Sequence, residues 1–190
     1  MTAPDTESET AGYQVVGVSK LDEYVLLGDA GLAMAMVAAG AERLVDLRGE
    51  TTPPRLPIPI DHFPIMDLEP DQDELIAQAA AHVAALARAG TTVGVYCQAG
   101  ISRTAAVAIA YLLLGGATLD VATSTLRRVR PQAMPAFELM RSLERLVARA
   151  GTPGELPTEG ITHDRLLAVR GGAGRPRYDP PVHPAGGHAA

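Results

Sequence analysis

A strand, a glycine-containing loop and a helix follow one another over residues 93–114, and this succession constrains the fold more than any other feature. The apolar, β-branched run Val93–Tyr96 is typical of a buried strand. The run Ala105–Leu114 is long and apolar enough for a buried helix. Between them lie Gly100 and Cys97, the only cysteine of the chain. A strand that passes through a tight loop into a helix predicts one unit of an α/β fold.

The loop between this strand and helix carries the groups that bind an anion. Backbone N–H groups of residues 98–103 can turn inward at the N-terminus of the helix, where the partial positive charge favours an anion. Gly100 allows a backbone conformation that other residues resist, and Arg103 can clamp two phosphate oxygens with its planar guanidinium. The same positive field favours the thiolate of Cys97, which is the nucleophilic form. The segment therefore predicts an anion site with a nucleophile directed at it.

The residues C-Q-A-G-I-S-R-T at 97–104 resemble the signature loop of cysteine-dependent protein tyrosine phosphatases, and most closely that of the dual-specificity branch. The resemblance implies that Cys97 is the nucleophile and that Thr104 stabilises its thiolate as it leaves the intermediate. It also implies a phosphate-binding loop made of Gln98, Ala99, Gly100, Ile101, Ser102 and Arg103. For Ser102 we expect a role in shaping the loop through side-chain to backbone bonds. The alternative is a buried, inert cysteine beside a glycine turn.

A phosphatase of this kind needs a carboxylic acid to protonate the leaving oxygen, and Asp67 is the candidate. It follows the strand-like segment 63–66 and lies thirty residues before Cys97, a placement similar to that of the dual-specificity acid. Asp71 and Asp73 are rivals, but each can instead cap the next helix or charge its first turn. Asp67 could likewise be a capping carboxylate of its loop.

Tyr96 departs from the resemblance, because the family usually places histidine directly before the nucleophile. Tyrosine cannot supply an imidazolium, although its hydroxyl could replace a neutral hydrogen bond. The helix N-terminus and Arg103 still favour the thiolate. We therefore expect an active enzyme.

Strands and helices alternate along most of the chain. The patterns predict strands at 13–18, 24–28, 43–48 and 92–96, and helices at 29–39, from Asp71 or Asp73 to about 89, at 104–114, 120–128 and 135–150. This order predicts an α/β domain over residues 13–150, with a central, mainly parallel sheet flanked by helices on both faces. Residues 1–12 are acidic and predicted to be disordered. Residues 151–190 are rich in Gly and Pro, which predicts a flexible tail.

Two polar groups outside the loop have local interpretations. Asp46 and Arg48 lie near the end of a strand that should point towards the site, and we expect a local ion pair there with Glu50 in reach. The cluster Arg127, Arg128 and Arg130 is either a solvated helix face or a rim that attracts anionic substrate.

The composition narrows the possible partners and location. A net charge of −6 disfavours a general partner among nucleic acids or acidic membranes. A single cysteine suits a reducing compartment, and the acidic N-terminus lacks the pattern of a signal peptide, so we expect a cytoplasmic protein. No metal site and no cofactor are expected.

Three functions are open at this point. The first is hydrolysis of phosphomonoesters on phosphoproteins (phosphotyrosine, with phosphoserine or phosphothreonine as further candidates) through a cysteinyl-phosphate intermediate. The second is a rhodanese-like sulfurtransferase, in which tyrosine before cysteine is familiar although the typical loop is one residue shorter. The third is a non-catalytic phosphate-binding module.

Overall fold

A computed structural model describes residues 17–150. Its strands are β1 (Ser19–Lys20), β2 (Val25–Asp29), β3 (Arg43–Arg48), β4 (Ile60–Ile65) and β5 (Val93–Cys97). Its α-helices are α1 (Ala33–Ala38), α2 (Asp73–Arg88), α3 (Arg103–Leu114), α4 (Leu119–Val129) and α5 (Phe137–Ala150). A short 3₁₀ helix, Ala30–Leu32, precedes α1. The predictions for residues 1–12 and 151–190 lie outside the described residues.

The strands form one five-stranded sheet in the order β1-β2-β5-β3-β4. Four strands run parallel, and β1 pairs antiparallel with β2. Strand β5 lies at the centre, with Asp29 of β2 in register with Cys97 and Asp46 of β3 in register with Tyr96. All five residues of β5 are buried, as expected for a strand covered on both faces.

Side chains alternate between two apolar layers, one on each face of the sheet. Helices α2 and α3 cover the larger layer, in which Val95 and Cys97 lie with Ile109 and other fully buried residues. Helix α1 covers the smaller layer, where Met36 packs near Leu44 and Tyr96. Neighbouring residues of β5 therefore face opposite layers. The predicted α/β fold, with helices on both faces of a mainly parallel sheet, is confirmed.

Several predicted boundaries differ from the structure. Gly17 and Val18 are not in a strand, and β1 begins at Ser19. Strand β4 starts at Ile60, earlier than the strand-like segment predicted at 63–66. Because β4 is an edge strand, the sheet tolerates Pro64, which has no N–H to donate to a neighbouring strand.

Neither Asp71 nor Asp73 caps α2, so that expectation was wrong, but Asp73 does place its charge in the first turn of the helix, which was the other expectation. Gln72 occupies the N-cap position without a side-chain cap bond. Asp73 is the first helical residue and accepts hydrogen bonds from Arg145 instead. Asp71 has a φ of 58°, in the left-handed region, and lies near Arg145.

A polar cluster attaches the edge strand β4 to its neighbours. Asp61 accepts two hydrogen bonds from Arg43 of β3, and its Oδ2 lies 2.7 Å from Nε2 of His82 in α2. Burial alone would raise the pKa of Asp61, but the hydrogen bonds from His82 and Arg43 outweigh it and lower the pKa to about 2. The ionised carboxylate therefore stabilises the folded edge of the sheet.

Every helix between residues 17 and 150 falls short, in length or in apolar character, of what a bilayer-spanning segment requires.

Candidate active site

Cys97 ends the central strand and begins the loop that leads into α3. Its side chain is 2 % exposed and lies on the α2–α3 face of the sheet. No disulfide engages this thiol, since it is the only cysteine in the chain. The carboxyl end of a central parallel strand is the position where α/β proteins commonly bind ligands.

The loop after Cys97 directs its carbonyl groups to the surrounding protein. The carbonyl oxygens of residues 98, 100, 101 and 102 each accept a hydrogen bond from outside the loop. Their donors are Ala30 N (3.4 Å), Arg130 Nε (2.8 Å), Met134 N (3.1 Å) and Ala106 N (2.9 Å), respectively. In contrast, the backbone N–H groups of residues 98–102 donate to no acceptor within residues 17–150. With the carbonyls committed to the protein, these amides are available to an anion.

Gly100 is required in this loop for two reasons. Its φ of +65° lies in the left-handed region, which side chains disfavour. A Cβ at this position would also lie 2.5 Å from both the Gly28 carbonyl oxygen and Nη2 of Arg130. The loop therefore packs against β2 and Arg130 with no room for a side chain.

Arg130 supports the loop from inside the protein. Its side chain is 1 % exposed, and Nε donates to the Gly100 carbonyl while Nη1 donates to the Gly17 carbonyl and to Ser19 Oγ. Burial lowers the pKa of Arg130, and the charges of Asp29 and Cys97 oppose that shift. The expectation of a solvated or rim cluster was therefore wrong for Arg130, although Arg127 and Arg128 are exposed.

Arg103 is the first residue of α3, and its guanidinium is already paired. Nη1 and Nη2 both donate to the Glu50 carboxylate, the latter over 2.9 Å, and Nη1 lies 3.5 Å from the Ile65 carbonyl oxygen. Burial opposes the charge of Arg103, but the bond to Glu50 and the negative charges of Cys97 and Glu50 raise its pKa. The bond from Arg103 in turn lowers the pKa of Glu50. Glu50 thus holds Arg103.

This pairing leaves one edge of the guanidinium open, in the sense that it has no hydrogen-bond partner among residues 17–150. A guanidinium has five N–H donors, and Nη1 with Nη2 forms only its end-on pair. Nε of Arg103 is buried and makes no hydrogen bond within the described residues. The side-on pair, Nε with the second hydrogen of Nη2, therefore has no acceptor among these residues, and the clamp on two phosphate oxygens stays a prediction.

Asp67 lies at the same site, two residues after β4. Its Oδ1 accepts a 2.7 Å hydrogen bond from the Ser102 hydroxyl, and its Oδ2 lies 3.8 Å from Nε of Arg103. Ser102 Oγ also accepts a bond of 2.9 Å from the N–H of Ala136, just before α5. The carboxyl group therefore borders the open edge of Arg103, and it does not cap a helix.

Thr104 is fully buried, and its hydroxyl has no hydrogen-bond partner among residues 17–150. A buried hydroxyl without a partner costs free energy, so such groups often mark sites where a ligand or intermediate completes the bonding. The hydroxyl makes no bond to Cys97 in this state.

Tyr96 lies on the opposite face of the sheet from Cys97, in the α1 layer. Its hydroxyl donates to Asp46 Oδ2 over 3.0 Å, and the Arg48 guanidinium lies 5.4 Å from the ring centroid. Arg48 forms two side-chain bonds with Asp46, so the expected local ion pair is present. The tyrosine hydroxyl is therefore used by Asp46 and does not replace a histidine bond near the thiol.

Sequence reasoning missed the roles of Glu50 and Arg130. Glu50 lies fifty-three positions from Arg103 in the chain, at the start of the loop after β3, and its acidic character alone gives no signal of this contact. The single available signal for Arg130 was its position directly before Pro131, where a helix must end.

The fold and the site together are those of a cysteine-dependent phosphatase: a buried thiol at a strand end, loop amides without acceptors among residues 17–150, an arginine Nε without a partner and an adjacent carboxyl group. Comparison with known proteins agrees. Residues 48–147 match the family described as dual specificity phosphatase, catalytic domain. The chain belongs to the dual-specificity phosphatases, and it is a protein phosphatase.

Individual relatives support this membership. Dual specificity phosphatase 28 of Mus musculus is 32% identical over 136 residues, which cover 70% of this chain and 83% of that protein. The crystal structure of human DUSP28 is 26% identical, with a TM-score of 0.62, and the match covers 68% of this chain and 92% of that one. The crystal structure of a mouse dual specificity phosphatase complexed with zinc tungstate is 25% identical, with a TM-score of 0.62, and the match covers 81% of this chain and 90% of that one. The sulfurtransferase and binding-module alternatives are not favoured.

Proposed function

We propose that the chain hydrolyses phosphotyrosine, and also phosphoserine or phosphothreonine, on protein substrates, with Cys97 as nucleophile, Arg103 as phosphate ligand and Asp67 as general acid. The observation that supports this most is the set of unpartnered donors around Cys97: the amides of residues 98–102 and Nε of Arg103. These donors suit the three equatorial oxygens of a phosphoryl group in transfer.

In the first step, Sγ of Cys97 attacks phosphorus as the bond from phosphorus to the leaving oxygen breaks. The leaving oxygen takes a proton from Asp67, whose Oδ2 is the oxygen not engaged by Ser102. In the second step, ionised Asp67 accepts a proton from water as the water oxygen attacks phosphorus. The S–P bond breaks, and the hydroxyl of Thr104 donates to the thiolate that is released.

The neutral interior of the loop bears on the substrate class. Gln98, Ala99, Ile101 and Ser102 bring no additional cation to the phosphate site. A substrate with several phosphates would need further cations within the loop. This favours phosphoproteins with single phosphate groups over phosphoinositides. The cytoplasmic location stays a prediction.

The test is turnover of p-nitrophenyl phosphate from about pH 4 to about pH 9 by the wild type and three variants. We expect turnover to depend on pH, because the mechanism requires a thiolate at Cys97 and a proton on the general acid. Cys97→Ser and Arg103→Lys should abolish turnover. Asp67→Asn should slow it, most of all for poor leaving groups. Equal turnover by Cys97→Ser and wild type would disprove the assignment.

A further inference from the structure

Exposed apolar side chains are few in the described part of the chain, and half of them belong to segments bonded to the phosphate-binding loop. The large exposed ones between residues 17 and 150 are Met34, Leu68, Val121, Met134, Phe137 and Val147. Leu68 is 75%, Met134 59% and Phe137 71% exposed. Exposed apolar residues that cluster, unlike scattered ones, mark surfaces that bind a partner.

Hydrogen bonds place Met134, and the chain neighbours of Phe137 and Leu68, next to Ile101 and Ser102. The N–H of Met134 donates to the Ile101 carbonyl over 3.1 Å. Phe137 follows Ala136, whose N–H donates to Ser102 Oγ. Leu68 follows Asp67, whose carboxyl group accepts the Ser102 hydroxyl. We define Leu68, Met134 and Phe137 as the apolar rim.

Two members of the rim have an unusual local setting. The φ of Leu68 is 64°, in the left-handed region where glycine or asparagine would be less strained than leucine. Phe137 is the first residue of α5; its ring is largely exposed, and the Arg141 guanidinium lies 5.9 Å from the ring centroid. Phenylalanine and methionine are enriched where proteins bind proteins.

We propose that the apolar rim binds the apolar side chains that flank the phosphorylated residue of a protein substrate. The inference rests on the proposed function, because the phosphate must enter the loop at Cys97 before its neighbours can meet the rim. The rim is continuous with that loop, so residues adjacent to the phosphorylated one are the segment that reaches it. The carboxylates of Glu50 and Asp67 border the same site and disfavour acidic flanks.

The experiment uses two phosphotyrosine peptides of equal length and charge, one with leucine and one with serine on both sides of the phosphotyrosine. For the full chain we expect kcat/KM to be about tenfold higher for the leucine peptide. Phe137→Ser, Met134→Gln and Leu68→Asn should each reduce this ratio several-fold, and asparagine keeps the left-handed backbone at position 68. Val121→Ser removes an exposed apolar side chain from α4 and should leave the ratio unchanged.

Three results would overturn the proposal. One is an equal kcat/KM for both peptides in the wild type, or a preference for serine or acidic flanks. The second is a ratio that the rim variants do not change. The third is a dimer, measured by light scattering, that the rim variants convert to monomer without changing the ratio, because the rim would then bind a second copy. Failure of the wild type to hydrolyse p-nitrophenyl phosphate would instead contradict the proposed function, so the two failures are distinguishable.

Discussion

The Ser102 hydroxyl donates a 2.7 Å hydrogen bond to Oδ1 of Asp67 and so links the phosphate-binding loop to the proposed general acid. Because Ser102 also accepts the N–H of Ala136, its single O–H is oriented towards the carboxyl group. Oδ2 is then the oxygen available to carry the proton, on the side of Arg103.

Ser102→Ala should therefore impair proton donation more than phosphate binding. We expect kcat to fall about tenfold or more for aryl phosphates of weakly acidic phenols, and much less for those of strongly acidic phenols. Ser102→Thr keeps the hydroxyl, so the dependence of its kcat on the acidity of the leaving phenol should be as small as in the wild type. In an Asp67→Asn background, Ser102→Ala should add no further leaving-group effect. A uniform loss for all phenols would show that Ser102 only shapes the loop.

Glu50→Gln should weaken phosphate binding, because the carboxylate holds the end-on nitrogens of Arg103 and so aims its open edge. We expect the inhibition constant for inorganic phosphate to rise about three- to tenfold. Glu50 is also an anion near a dianionic substrate. Tighter phosphate binding by the variant would mean that this repulsion outweighs the positioning. Glu69→Gln, an exposed change on the loop after Asp67, serves as the control.

Arg130→Met should destabilise the protein and the loop together. The change leaves the Gly100 carbonyl and Ser19 hydroxyl without the donors they now have, at a cost of about 1–3 kcal/mol for each buried group. Urea unfolding measures the free energy of unfolding, and the inhibition constant for phosphate measures the affinity of the loop for an anion. Arg127→Met, an exposed change near the end of α4, should alter neither. Full phosphate affinity in Arg130→Met would refute the support role.

Tyr96→Phe should lower stability by about 1–3 kcal/mol, because the buried carboxylate of Asp46 loses one hydrogen bond. The pH dependence of Cys97 alkylation by iodoacetamide should not change, since the hydroxyl lies on the other face of the sheet. Tyr24→Phe is the matched control, because the Tyr24 hydroxyl makes no side-chain hydrogen bond within residues 17–150. A shift of the alkylation profile in Tyr96→Phe would show that Tyr96 does act on the thiol.

Asp61 should make stability depend on acid pH. Its pKa is about 2 in the folded protein and higher in the unfolded chain. Its contribution to the free energy of unfolding is therefore complete above the pKa of the unfolded chain and is lost as pH falls towards 2. The shift corresponds to about 2 kcal/mol at neutral pH. Asp61→Asn should thus lower the free energy of unfolding by that order near pH 7, and the difference from wild type should shrink below about pH 4. A difference that is independent of pH would contradict this assignment.

The strand, loop and helix around Cys97 were predictable because their determinants are local. An apolar run, a glycine with a positive φ and an apolar helix lie within one short segment, and the proximity of Asp67 to the loop followed from the resemblance to the family's placement of the acid. Arg130 and Glu50 were not predictable in this way. An arginine next to Arg127 and Arg128 has the pattern of a solvated helix face, and only the tertiary approach of Gly100 and Ser19 to the end of α4 buries it. Glu50 meets Arg103 only after β3 and β5 have paired.

The central position of β5 has a consequence for partial unfolding. Hydrogen bonds on both sides make β5 the part of the sheet whose amide protons should exchange most slowly with solvent. Asp67, in contrast, follows the edge strand β4, which pairs on one side only. Fraying of that edge would remove the proton donor while the thiol and its anion site persist, so warming should abolish turnover before it abolishes phosphate binding.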